Sequence, residues 1–176
     1  GGGEAKKVSV GDLGIAPCRA LRDCEKTGEC PIRDGMEAFV RGLLSADKVA
    51  LASPIFFYGL PAQLKAVVDR GQAAWARRRL GGPAPEKEVW VILLGATRGA
   101  NLFQGALLTL KYFFEPLGAR IAGELTYRRI DRPGDIARHP TALAEAFSAG
   151  KGFASGTGRP GSRRIGGEPG NKGGER

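Results

Sequence analysis

Residues 48–77 read KVALASPIFFYGLPAQLKAVVDRGQAAWAR, and the order of chemical types along them decides the fold. Val49–Ala52 is a short apolar run with no polar residue at alternate positions, the pattern of a strand buried on both faces. Ser53-Pro54 ends the run, and three aromatics, Phe56, Phe57 and Tyr58, follow before Gly59. Pro61 stands where a helix accepts proline, in a first turn whose N–H groups have no intrahelical partner anyway. Leu60, Leu64, Val67, Val68, Gly71 and Trp75 then recur at spacings of three and four, which predicts one helix with a single apolar stripe. Strand, aromatic loop and helix form the unit that carries ligands in open α/β sheets, whose sites lie beyond the carboxyl ends of strands.

Outward from this unit the same alternation continues. Toward the N-terminus, Lys7–Val10 is predicted as a short strand that Leu13–Ile15 extends, Cys18–Cys30 as a polar loop, and Asp34–Leu44 as a helix. Toward the C-terminus, Gly81–Pro85 is a loop and Glu88–Leu94 a second buried strand closed by Gly95. Leu102–Phe114 is predicted helical, Arg120–Tyr127 a third strand, and Thr141–Phe153 a last amphipathic helix. Strands alternating with helices of this length imply crossover connections and a largely parallel sheet.

The chain has 176 residues, enough for one domain with a real core. Residues 1–154 are expected to form it. Residues 155–176, almost all Gly, Pro and charge, are expected to be a disordered tail, and Gly1–Lys7 to fray. No run reaches the about 18 apolar residues of a membrane span, and no secretory leader pattern occurs, so a cytoplasmic protein is expected. The net charge is +9, of which the tail supplies three: five basic residues against Glu168 and Glu175. Arg77–Arg79 is a second basic cluster; a solvated helix end is the favoured reading over nucleic-acid binding, although an anionic nucleotide would suit it.

No nucleophile, base and orienter come together in the sequence, so no catalytic residue is assigned. The one histidine, His139, precedes Pro140 and reads as a surface or capping residue. Neither a GxGxxG nor a GxxxxGK[ST] motif occurs, which removes support for a dinucleotide Rossmann site or an NTPase. What remains are two strand ends, Ser53–Gly59 and Gly95–Gly99. At one sheet edge they would form a flat, partly apolar slot with backbone N–H groups and Arg98, suited to a planar redox-active ring. From the residues alone, aromatics that merely roof the core fit equally well.

SPIFFYGLPAQLKAVVDR, preceded by Pro17-Cys18, CEKTGEC at 24–30 and Asp34-Gly35-Met36, and followed by LLGATRG at 93–99 and KYFFEPL at 111–117, resembles the NAD(P)H-dependent FMN reductase family, including its iron–sulfur flavoprotein branch. The resemblance runs from about Val8 to Phe153. It implies a flavodoxin-like three-layer α/β sandwich with a parallel sheet, FMN as cofactor, NAD(P)H as co-substrate, and electrons passed on to a small acceptor. Ser53, Pro54, Ile55, Phe56, Phe57, Tyr58 and Gly59 would wrap the isoalloxazine ring; Gly95, Ala96, Thr97 and Arg98 would approach its pyrimidine edge. The helix from Pro61 would pack in a homo-oligomer interface. Flavin chemistry also accounts for the missing acid–base residues, because the protein then need only bind, orient and tune.

Two departures from the family pattern qualify the expectation. The strand and Gly/Ser/Thr-rich loop that hold the FMN phosphate in the family are not found, so the domain is expected to be truncated at its N-terminus and to hold flavin weakly or not at all. Cluster-binding relatives carry four cysteines in a compact loop for a [4Fe-4S] cluster. Here Cys18, Cys24 and Cys30 remain, with Leu21 where the second ligand would fall. The three are candidate metal ligands, for iron–sulfur or zinc, but a cluster-less loop with reduced, redox-active or transiently disulfide-bonded thiols is favoured. The alternatives to the reductase are an electron-transfer module with flavin and cluster, and a truncated, non-catalytic domain that acts only through partners.

Overall fold

The computed structural model describes residues 4–83 and 86–156. The expected tail lies outside the described residues from 157 on, as do Gly1–Gly3 and Ala84–Pro85. Three parallel strands, β1 (Lys48–Pro54), β2 (Lys87–Gly95) and β3 (Ala119–Arg128), form one sheet in the order β1-β2-β3. Helices α1 (Cys24–Thr27) and α2 (Gly35–Ser45) precede β1; α3 (Ala62–Arg70) and α4 (Gln72–Arg79) connect β1 to β2; α5 (Gln104–Phe114) connects β2 to β3; α6 (Ala142–Ser155) follows. Adjacent parallel strands joined by helices, in sequence order, match the last three strands of the flavodoxin-like order 2-1-3-4-5.

β2 is central and fills both faces. Val89, Val91 and Leu93 are fully buried and meet Leu64 and Val67 of α3 and Ala106, Leu110, Phe113 and Phe114 of α5. Alternation sends Trp90 to the opposite face, where its ring lies 6.1 Å from that of Phe153 in α6. Tyr127 of β3 fastens the same helix, donating to Glu145 Oε2 at 2.8 Å. His139 does cap: its Nδ1 accepts from the backbone N–H groups of Thr141 and Ala142 at the start of α6. Two half-buried lysines tie helix ends to strand starts. Lys87 donates to the carbonyls of Leu43, Leu44 and Ala46 at the C-terminal end of α2, and Lys48 to those of Phe153 and Ala154 in α6.

Three expectations are corrected. Lys7–Val10 and Leu13–Ile15 are not strands; a 3-10 turn at Val10–Leu13 takes their place, because among the described residues no strand pairs with them to accept their hydrogen bonds. β1 is not buried on both faces. Among the described residues it pairs only with β2, and Ala50 and Ala52 are exposed while Val49 and Leu51 are half-buried. The helix from Pro61 is not continuous. It breaks at Gly71, where a Cβ would stand 2.8 Å from Phe113 Cδ2, so the chain comes too close to α5 for any side chain there. Trp75, past the break, is 43% exposed.

Gly123 offers a check on the packing. A Cβ there would lie 2.4–2.7 Å from the Trp90 indole, a rigid group held in the core. Gly123→Ala is expected to cost about 1–3 kcal/mol by overpacking. Gly150→Ala, in α6 with nothing within 4 Å of the new methyl, should be neutral or stabilise by up to about 1 kcal/mol. Urea denaturation of the two variants measures both, and equal midpoints would contradict the packing described.

Candidate functional site

The two loops singled out in the sequence meet at the carboxyl end of the sheet. Ile55 N–H donates to the Leu94 carbonyl at 2.8 Å, carrying the pairing of β1 and β2 one residue into the first loop. Phe56 and Gly59 then exchange backbone hydrogen bonds, 3.0 and 2.9 Å, around a two-residue turn. Both turn residues, Phe57 and Tyr58, have positive φ, 48° and 62°. Such turns fit the twist of paired strands but favour Asn and Gly; an L side chain in this region costs about 1–2 kcal/mol. Phe57 is fully exposed, so packing of its side chain does not offset that cost. Strain of this kind on an uncovered aromatic points to a ligand clamp.

Tyr58 reaches back over the second loop. A Cβ on Gly99 would sit 2.1 Å from its hydroxyl oxygen and 3.0 Å from Cζ, so Tyr58 and the 95–99 segment share one cleft. Ser53 is buried, with its hydroxyl donating to the Pro54 carbonyl. Pro54 and Phe56 are exposed, Ile55 is buried, and Gly59 is half-buried. In the second loop Gly95 is buried while Ala96, Thr97 and Arg98 are exposed. The structure therefore brings the predicted residues to one place, with aromatic faces on one side and a short polar loop on the other.

One residue of the site was missed. Arg128, last in β3, donates from Nε to the Gly99 carbonyl (3.2 Å) and from Nη2 to that of Ala100 (3.1 Å). Its guanidinium lies 5.2 Å from the centre of the buried Phe103 ring. Register places it there, because Gly95 pairs with Arg128 across β2 and β3. It pins the second loop from below. The signal available in sequence was only its position at the end of a strand.

The cysteine loop is closed by a buried ion pair. Arg70, 3% exposed, donates to Asp34 Oδ2 at 2.8 Å and to the carbonyls of Ala16 (3.0 Å) and Ile32 (2.9 Å). Asp34 in turn accepts from Ala16 N at Oδ2 and, as N-cap of α2, from Met36 N at Oδ1. The pair thus clasps both ends of the segment carrying Cys18, Cys24 and Cys30. All three thiols are free, and burial together with the neighbouring Cys30 and Cys18 raises the Cys24 thiol. Among the described residues no three Cys, His, Asp or Glu side chains are arranged to hold a metal ion. The thiols as placed do not fit a cluster, whereas the two loops, with the exposed Phe56, Phe57 and Tyr58 beside the exposed Ala96, Thr97 and Arg98, fit the edge and face of a planar ring.

Acid should loosen this clasp. Burial works to raise the Asp34 carboxyl, but hydrogen bonds from Arg70, Met36 and Ala16 outweigh it and hold the group below the usual carboxylate range. A depressed folded-state value contributes stability above the unfolded value, about 3.9, and that contribution is lost as pH falls through the folded value. Urea midpoints taken at neutral pH and at successive steps below about pH 4 should therefore converge between the native chain and Asp34→Asn. A constant gap between them would contradict the assignment.

A family model described as NADPH-dependent FMN reductase matches residues 1–125. An iron–sulfur flavoprotein of Methanocaldococcus jannaschii is 32% identical over 98 residues, 56% of this chain and 49% of that protein. An FMN-dependent NADH:quinone oxidoreductase of Opitutus terrae is 34% identical over 123 residues, 61% of this chain and 56% of that one. The chain thus spans about half the length of these relatives. Among solved structures, a flavone reductase superposes with a TM-score of 0.62 at 16% identity, covering 89% of this chain and 53% of that one, a likeness of fold. With more than half of its length matched by the family model, and with the family's parallel α/β sheet in place, the chain belongs to the NADPH-dependent FMN reductase family.

Proposed function

We propose that the chain carries the isoalloxazine-binding cleft of an FMN-dependent NAD(P)H oxidoreductase, which delivers electrons to a small acceptor. The observation that carries this is the strained, exposed Phe57-Tyr58 turn closing over Gly99. Bound FMN would supply hydride acceptance from nicotinamide and onward electron transfer. Phe56, Phe57, Tyr58 and Gly59 would cover the ring face, and Gly95, Ala96, Thr97 and Arg98 would meet its pyrimidine edge. Arg128 holds the second loop in place while Ile55 and Ser53 anchor the first. No side chain of the cleft is needed to move a proton. The names of the relatives, which include an FMN-dependent NADH:quinone oxidoreductase, support the reading.

The test is a flavin titration of the purified chain followed by anaerobic NAD(P)H. Flavin fluorescence should be quenched on binding and the visible flavin band bleached by the nicotinamide. Because the cleft grips the ring, riboflavin should bind within a few-fold of FMN. Unchanged flavin fluorescence at excess protein would overturn the proposal.

For Cys18, Cys24 and Cys30 we propose redox-active thiols in place of cluster ligands, supported by the missing fourth cysteine, with Leu21 in its place, and by the mutual influence of the three thiols. Iron and sulfide found in stoichiometric amounts after anaerobic reconstitution would instead favour the electron-transfer module with flavin and cluster. A homo-oligomer is proposed from the open edge of β1 and from Leu108 and Tyr112, which stand exposed one turn apart on α5. Light scattering of the purified chain measures it. Among the described residues no helix is long and apolar enough to cross a membrane.

A further inference from the structure

The basic cluster at the end of α4 has no part in the cleft, yet two of its members, Arg77 and Arg78, border a cavity of about 240 Å³. The cavity lies between α2 and α4, and no residue of the 53–59 or 95–103 loops lines it. Its floor is apolar: Met36, Phe113 and Leu117 line it, each 5% exposed. Its lining holds five arginines against two carboxylates. Glu37 is shared between Arg41 at 2.9 Å and Arg33 at 3.8 Å and Glu29 lies 3.9 Å from Arg33, whereas Arg77 and Arg78 have no acidic partner among the described residues. Arg77 is also seated: a Cβ on Gly28 would lie 3.1 Å from its Cα and Cβ, and one on Gly82 2.6 Å from its Cγ, so the two glycines make room for its stem. Arg70 forms part of the wall, and its Nε–H is buried with no acceptor in hydrogen-bonding geometry.

An apolar floor beneath unmatched cations is complementary to a small apolar body carrying one negative charge. Size narrows the class. A dry cavity of about 150 Å³ holds benzene, so this one has room for two fused rings, while it falls below the roughly 300 Å³ at which sites for nucleotide-sized ligands begin. We propose that the cavity between α2 and α4 is a binding site for an aromatic monocarboxylate of about two rings, separate from the flavin cleft. Its carboxylate would lie against Arg77 and Arg78, and its rings on Met36, Phe113 and Leu117.

Calorimetric titration of the full chain with 1-naphthoate, and with 1-naphthylmethylamine as the cationic counterpart, tests this. The carboxylate should bind saturably, more weakly as salt is raised, and the amine should not. Arg77→Glu and Arg78→Glu should each weaken naphthoate about tenfold, the loss of one charge-assisted contact, and leave the flavin titration unchanged. Ala74→Phe, which places a ring in the cavity, should abolish binding without lowering the melting temperature. Equal binding of acid and amine, no saturable heat at millimolar naphthoate, or unchanged affinity in the double Arg77→Glu/Arg78→Glu variant would each overturn the proposal. If Ala74→Phe does not fold, the two arginine variants decide it alone.

Discussion

Gly99→Val is expected to weaken flavin binding about 10- to 100-fold while leaving the fold stable. The first branch of the new side chain would stand 2.1 Å from the Tyr58 hydroxyl and within 3.0–3.2 Å of its ring carbons. Tyr58 is 47% exposed, so its ring can swing into solvent, and the clash is relieved without disturbing the core. What is lost is the aromatic lid over the slot, and one aromatic stack on a flat heterocycle is worth about 1–3 kcal/mol. Tyr58→Ala should reach the same endpoint from the other side. The double variant should bind no worse than either single one, because residues in contact do not add. Arg128→Met should give a smaller loss, with faster amide exchange at Gly99–Asn101, since two carbonyls of that loop lose their donor. Flavin affinity in Gly99→Val equal to that of the native chain would remove Tyr58 from the site.

The largest expected loss of stability comes from Asp34→Ala. It leaves Arg70 at 3% exposure with a guanidinium that has lost its carboxylate. Removing one partner of a buried pair costs about 3–5 kcal/mol, because the other charge stays behind unpaired; a domain of this kind has about 5–15 kcal/mol in all. The same change frees the N–H of Ala16 and uncaps α2. Cys24 and Cys30, both half-buried in the native chain, should then react faster with a thiol reagent, while the exposed Cys18 reacts readily in either. The double Asp34→Leu/Arg70→Met variant should recover part of the loss, since two well-packed apolar side chains need no solvation. A urea midpoint for Asp34→Ala within error of the native one would mean that the pair is not a clasp.

How much of this could be read beforehand follows from the range of each interaction. β2 and α5 were legible because VWVILL and the spacing of Leu102, Phe103, Ala106 and Leu110 are local patterns. The meeting of the two loops was legible as well, since strand ends in a parallel sheet lie at one edge. The close approach at Gly71 was not, because Phe113, whose ring takes the space of a side chain there, is remote in the chain. Asp34 and Arg70 are 36 residues apart, and each reads locally as an ordinary cap and an ordinary helix surface charge. Arg128 needed the pairing register of β2 and β3. The apolar run at Val49–Ala52 misled because hydrophobicity tells that a strand is present and not how many neighbours it has.

The two lysines that open β1 and β2 make helix attachment sensitive to amine chemistry. Each spends its ammonium on the last carbonyls of a helix from a different layer of the sandwich. Acetylation of either would remove the charge and leave one donor where the ammonium had three, so α2 or α6 would work loose at its end while the sheet stayed whole. Acylating reagents used for surface labelling would thus reach beyond the surface in this protein, prising open one flank at a time.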